Sequence, residues 1–113
     1  MPHRKSLAAL DAPAELFAAL GDTTRLRVLF RLSQEGRLSV SALTEGARVS
    51  RQAVTKHLEV LEDAGVVRSS KAGRARVWQL EPRRLAEAKK HLDTISRQWD
   101  ESLVRLRSLV DDG

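Results

Sequence analysis

The chain has 113 residues, 42% hydrophobic and 31% charged, with a net charge of +5 and no cysteine. This is the composition of one folded domain with a modest core, and it excludes a disulfide framework, a thiolate metal site, a thiol redox switch and a cysteine nucleophile. The positive charge is local: residues 48 to 90 hold 11 Lys/Arg against 5 Asp/Glu, while the segments before and after hold 6 against 5 and 3 against 5, which marks the middle of the chain as the part suited to a polyanion.

Residues 1 to 12 read as a flexible N-terminal arm with Pro2 and the basic cluster His3-Arg4-Lys5. Asp11, Pro13 and Glu15 interrupt the apolar residues there before they could form a signal-peptide core. No run elsewhere approaches the length of a membrane span, so a cytoplasmic setting with no membrane partner is expected. Pro13 suits the first turn of a helix to Leu20, with Leu16, Phe17 and Leu20 on one face and Gly21 as its stop. Asp22 is a good cap for a second helix from Thr23 to about Gln34, in which Leu26, Leu29, Phe30 and Leu32 fall toward the inside and Arg27 and Arg31 pair outside. Leu38 to Val40 suits a very short strand, and a brief helix from Ser41 to about Ala47 follows.

Ala47-Arg48-Val49 separates that helix from SRQAVTKHLEVLEDA, Ser50 to Ala64. Here Val54, Leu58 and Leu61 recur at i, i+4 and i+7, which is the period of a helix that buries one stripe. The first two turns carry Arg51, Gln52, Thr55, Lys56 and His57, whereas Glu59, Glu62 and Asp63 are held to the second half. Ser50 is a good N-cap, and Gly65 falls where a left-handed C-terminal cap would lie. Two short helices joined by a turn, the second offering donors at its start, form the helix-turn-helix pattern. That second helix suits base edges in the major groove.

After Gly65 the period changes. Val66 to Ser70 and Arg74 to Leu80 are β-prone runs around Lys71-Ala72-Gly73, which predicts a hairpin with Trp78 and Leu80 on one face and Lys71, Arg74 and Arg76 at its tip and descending arm. A basic hairpin beside a recognition helix is a wing. Pro82 opens the longest element, in which Leu85, Ala88, Leu92, Ile95, Trp99, Leu103, Leu106 and Val110 form one continuous apolar stripe. From Arg83 to Asp111 that helix spans roughly 43 Å, more than a compact core with a radius of gyration near 13 Å covers. A second copy of the chain is the expected cover, through Leu92, Ile95, Trp99, Leu103, Leu106 and Val110 together with Leu16, Phe17 and Leu20.

No catalytic constellation is legible. His3, His57 and His91 lie on separate elements, the six glycines sit singly, and neither a Walker loop nor a dinucleotide fingerprint occurs, so no enzymatic activity and no cofactor are expected. His91 and Asp93 lack a nearby third ligand, so a metal site would have to be shared across an interface with Asp100 or Glu101 of a second copy.

The segments ALGDTTRLRVL (Ala19 to Leu29), SRQAVTKHLEVLEDAG (Ser50 to Gly65) and GRARVWQL (Gly73 to Leu80) together resemble the ArsR-type winged helix-turn-helix transcriptional regulators, over about residues 14 to 112. The resemblance implies a homodimer that brings its first and last helices together, binds palindromic double-stranded DNA and acts as a repressor released by an inducer. It places DNA contacts on Ser50, Arg51, Gln52, Thr55, Lys56 and His57, and wing contacts on Lys71, Arg74 and Arg76. Many metal-sensing members carry a Cys-x-Cys pair in the third-helix region, where this chain has Ser39 and Ser41. Others use ligands in the last helix, where only His91 and Asp93 remain, so the resemblance is to a subgroup free of metal ligands. The segment Ile95 to Val110 is similar to members encoded beside small lipid-binding-type proteins, whose inducers are undefined. Arg48 stands at a turn position that often holds Gly.

The expectation is therefore a mainly α fold with a small β-hairpin, a dimeric winged helix-turn-helix. The arm covers residues 1–12, the DNA-binding domain residues 13–81, and a dimerisation helix packed on the same domain residues 82–113. The rival readings are a metal-responsive repressor with a cysteine-free interfacial site, and a winged-helix adapter that binds protein rather than DNA.

Overall fold

The computed structural model describes residues 11–112. Among the described residues the order is α1 (Asp11–Leu20), α2 (Thr23–Glu35), β1 (Leu38–Ser39), α3 (Val40–Thr44), α4 (Arg51–Asp63), β2 (Val67–Ala72), β3 (Ala75–Leu80) and α5 (Pro82–Asp112). This is a mainly α winged helix-turn-helix with one small sheet. The expected arm lies outside the described residues except for Asp11 and Ala12, which already belong to α1. Among the described residues α1 is already helical two residues before the proline.

The Asp22 side chain caps α2 by accepting from the Arg25 N–H at 3.0 Å. The expected buried face of α2 holds only in part: Leu32 enters the core with Val28, and Leu29 packs at its edge, whereas Leu26 and Phe30 are 52% and 64% exposed. Leu26 and Phe30 each lie two residues from Val28, roughly 200° around the helix, so packing along the Val28–Leu32 row turns both to solvent. Arg27 and Arg31 do not pair with each other. Arg31 instead binds Glu35 and donates Nη1 to the Ala42 carbonyl at 2.8 Å, joining α2 to α3.

Ser39 ends β1 and caps α3, accepting from the Ala42 N–H at 3.1 Å. The helix stops at Thr44, short of the expected Ala47: Glu45 already leaves the helical conformation with a ψ of 128°, and Gly46 follows with a φ of 73°. The turn glycine is thus Gly46, and Arg48 keeps an ordinary negative φ. Residues Glu45 to Ser50 connect the two helices of the motif.

β3 is the central strand, antiparallel to both β1 and β2, and Trp78 pairs with Leu38 on one side and Ser69 on the other. Ala72 pairs with Ala75 across a two-residue loop. Gly73 opens it with a φ of 67°, the positive value that the first position of a type II′ turn requires. The core centres on Leu58, Leu61 and Val66, with Leu16, Leu32, Leu43, Val54 and Trp78 around them.

α5 packs on this core through Leu85 and Ala88 in its first turns. Beyond Ala88, among the described residues, only His91, Ile95 and Ser102 are even partly buried. The Cα radius of gyration is 18.5 Å and the longest extent 64 Å, against about 13 Å for a compact chain of this length. The greater part of the last helix is therefore not packed on its own domain.

Candidate nucleic-acid interface

The sequence of α4 places its two halves on different tasks. Val54, Leu58 and Leu61 are buried and fix the helix against the domain. Ser50 caps it, accepting from the Ala53 N–H at 3.1 Å. The opposite side of the first turns is an open groove lined by Arg51, Gln52, Thr55, Lys56 and Glu59. Arg51, Gln52 and Lys56 are exposed, while Thr55 is half-buried and its hydroxyl donates to the Arg51 carbonyl at 3.0 Å, back into the helix. Among the described residues the groove thus offers two cations and an amide at the positive end of a helix, a combination suited to base edges and phosphate oxygens.

His57 is turned differently from its neighbours. Its Nδ1 lies 3.3 Å from Arg25 Nη1 and 3.8 Å from Asp22 Oδ2, so the ring faces the start of α2. The hydrogen bond from the Arg25 N–H is the largest cause holding the Asp22 carboxyl below its ordinary pKa of 3.8, and burial opposes it.

On the wing, Lys71, Arg74 and Arg76 are all exposed. Arg76 is engaged within the domain, donating to the Ser69 hydroxyl at 2.7 Å. Lys71 and Arg76 are directly paired across the hairpin. Like charges so placed repel, and a polyanion laid against them relieves the repulsion.

The residues expected at a dimer contact divide. Trp99 is 66% exposed, Leu92, Leu103, Leu106 and Val110 are exposed on the same helix, and Ile95 is partly buried. Val104 and Leu109, which the stripe omits, are exposed as well. Phe17 and Leu20 are half-buried at the core edge. Leu16 is a correction: it is 1% exposed, at the centre of its own domain, and has no surface to give a second chain.

Three features escaped sequence reasoning. Glu59 borders the α4 groove, an acceptor one turn beyond Thr55. Arg27 and Arg48 line a cavity of about 230 Å³ between α2 and the turn, over a floor of Val28, Leu43, Val49 and Val54. Arg25 joins α1, α2 and α4; its place three residues after the Asp22 cap was the one signal available. Among the described residues no three His, Cys, Asp or Glu side chains cluster as metal ligands would. Nor is any described helix long and apolar enough to cross a membrane.

A helix-turn-helix with exposed donors at the start of its second helix, a basic wing beside it and a long helix behind it defines a winged helix-turn-helix DNA-binding protein. A family model for a helix-turn-helix domain matches residues 20–70. The chain is 39% identical over 100 residues to the HTH-type transcriptional regulator Rv2034 of Mycobacterium tuberculosis, covering 88% of this chain and 90% of that one. It is 33% identical over 81 residues to the arsenical resistance operon repressor of Escherichia coli, covering 72% of this chain and 69% of the repressor. Among solved structures it is similar to an ArsR-like transcriptional regulator from Rhodococcus sp. RHA1, with a TM-score of 0.73 and 33% identity over 90% of this chain and 95% of that one. The chain belongs to the ArsR family of helix-turn-helix transcriptional regulators.

Proposed function

We propose that this regulator acts as a homodimeric repressor on a palindromic operator in the cytoplasm, without sensing metal and without enzymatic activity. Each α4 enters a major groove. Arg51 and Lys56 are competent to read guanine and Gln52 adenine, while Ser50, Lys71, Arg74 and Arg76 hold phosphates on either side. The two copies meet along the apolar stripe of α5, with Phe17 and Leu20 of α1 at its base. The absence of cysteine removes the thiolate ligands a soft-metal sensor would use, and the repressor role is drawn from that of the Escherichia coli relative.

The observation that carries this reading is the pairing of two unpartnered surfaces on one chain: the donor-lined groove of α4, and an α5 whose Trp99, Leu103 and Leu106 face solvent in the single chain. Selection from a random duplex pool followed by gel shift at graded salt tests it. The expected product is a palindromic site bound by two chains, with affinity falling steeply as salt rises. Recovery of no preferred sequence, or binding by single chains, would refute the reading.

A further inference from the structure

Arg25 stands where three elements meet. Its backbone N–H donates to the Asp22 carboxylate at 3.0 Å, its Nε donates to the Ala19 carbonyl, its Nη2 donates to the Ala18 carbonyl at 3.4 Å, and its Nη1 lies 3.3 Å from Nδ1 of His57 in the second turn of α4. Ala18 and Ala19 belong to the last turn of α1, where helix carbonyls lack an intrahelical partner. One guanidinium therefore caps α1 and holds the recognition helix at once. A lysine ammonium, a single point donor on a flexible stem, does not reproduce that planar fork.

The chemistry of the His57 contact is fixed by the donor. A guanidinium has no acceptor, so a hydrogen bond to Nδ1 needs a lone pair there, which the tautomer carrying its proton on Nε2 supplies. The Asp22 oxygen, at 3.8 Å, is beyond hydrogen-bond length, so Arg25 is the nearer partner of Nδ1. The ring is thus an acceptor turned inward, on the same helix whose Arg51, Gln52 and Lys56 face outward.

We propose that Arg25 is a positioning residue for operator recognition, which sets the placement of α4 by anchoring His57 to the end of α1. The proposal rests on the DNA-binding reading above. Because Ala18 and Ala19 lie between Phe17 and Leu20, a shift of α1 at a dimer contact would be carried to the recognition helix by this side chain as well as by the core packing of Leu16. Arg25 itself touches no base in this scheme. It acts on sequence discrimination through the angle at which α4 meets the groove.

The test uses the full chain, the duplex that the unaltered protein selects from a random pool, and a shuffled duplex. Dissociation constants for both, with the melting temperature, are measured for Arg25→Gln, His57→Leu, the double variant and His57→Asn. Each of the first two is expected to weaken binding to the selected duplex about tenfold, a coupling of the size found within one hydrogen-bond network. Binding to the shuffled duplex should change far less. The double variant should be no weaker than the weaker single one, and His57→Asn, whose Oδ1 can take the place of Nδ1, should recover most of the loss. Multiplicative losses in the double variant, or His57→Asn falling as far as His57→Leu, would overturn the proposal. If Arg25→Gln fails to fold for want of the α1 cap, the comparison of His57→Asn with His57→Leu decides alone. If the unaltered protein selects no duplex, the DNA-binding reading falls and takes this proposal with it, an outcome distinct from multiplicative losses.

Discussion

Arg76 Nη1 lies 2.7 Å from the Ser69 hydroxyl, across the hairpin; that hydroxyl in turn donates to Glu62 Oε2 at 3.1 Å, in the last turns of α4. The wing and the recognition helix are thereby joined by side chains as well as by the chain between them. Arg74, at the hairpin tip, makes no hydrogen bond or ion pair among those of the described residues.

The two wing arginines should therefore behave differently. Arg74→Ala is expected to weaken binding to all duplexes alike and to lower the slope of log affinity against log salt by about 1, the signature of one lost phosphate contact. Ser69→Ala removes the link while leaving every charge in place, so it should weaken binding with the slope unchanged. Gel shifts over a salt series measure both. A Ser69→Ala slope that falls like that of Arg74→Ala would contradict the assignment.

Ser50 holds the first turn of α4 through its hydroxyl. Ser50→Ala should cost about 1 kcal/mol of stability, and Ser50→Gly only a few tenths. For a domain of this size the alanine loss corresponds to a fall in Tm of roughly 4–8 °C, read by thermal unfolding followed by circular dichroism. Equal Tm for the alanine variant and the unaltered chain would show that the cap contributes nothing.

Trp99 and Leu16 separate association from folding. Trp99→Ala should raise the dimer dissociation constant by roughly tenfold or more, as for a large aromatic at a contact centre, with little effect on the fold of each domain. Leu16→Ala empties part of the domain core and should cost about 2–5 kcal/mol of stability. Sedimentation equilibrium and denaturant unfolding distinguish the two, and an unchanged monomer-dimer balance in Trp99→Ala would remove α5 from the contact.

Asp22 sets an acid limit. Folding lowers the pKa of its carboxyl from 3.8, so the fold favours the ionised form. The stability this contributes is present above the ordinary carboxylate range and is lost as pH falls through the lowered value. Asp22→Asn keeps a capping acceptor but removes the titration, so its urea midpoint should fall less steeply below pH 4 than that of the unaltered chain. Parallel acid limbs would rule Asp22 out as a contributor.

What the sequence made legible was what is local. The spacing of Val54, Leu58 and Leu61 and the caps at Asp22 and Ser50 follow from neighbours a few residues apart, and the structure has them. The stripe of α5 was also legible, because it repeats without interruption. The buried face of α2 was legible only in part: Leu29 and Leu32 lie inward as read, but Leu26 and Phe30 satisfy a helical period as well as Val28 does, and only packing against distant elements chooses between them. The inward turn of His57 depends on Arg25, 32 positions away, and no spacing rule reaches so far. The end of α3 was missed because Glu45 and Gly46 were read as part of a helix, whereas Glu45 turns to a ψ of 128° and Gly46 to a positive φ.

If two chains pair along α5, as proposed, concentration becomes a thermodynamic variable of this regulator. A dimer that buries Trp99, Leu103 and Leu106 draws stability from mass action, so its melting temperature rises with the amount of protein present. A chain held too dilute to pair would carry a greasy rod into solution and present one half-site reader instead of two. On that proposal, the level at which the cell maintains this protein would set both how much of it stays intact and how much of it is paired.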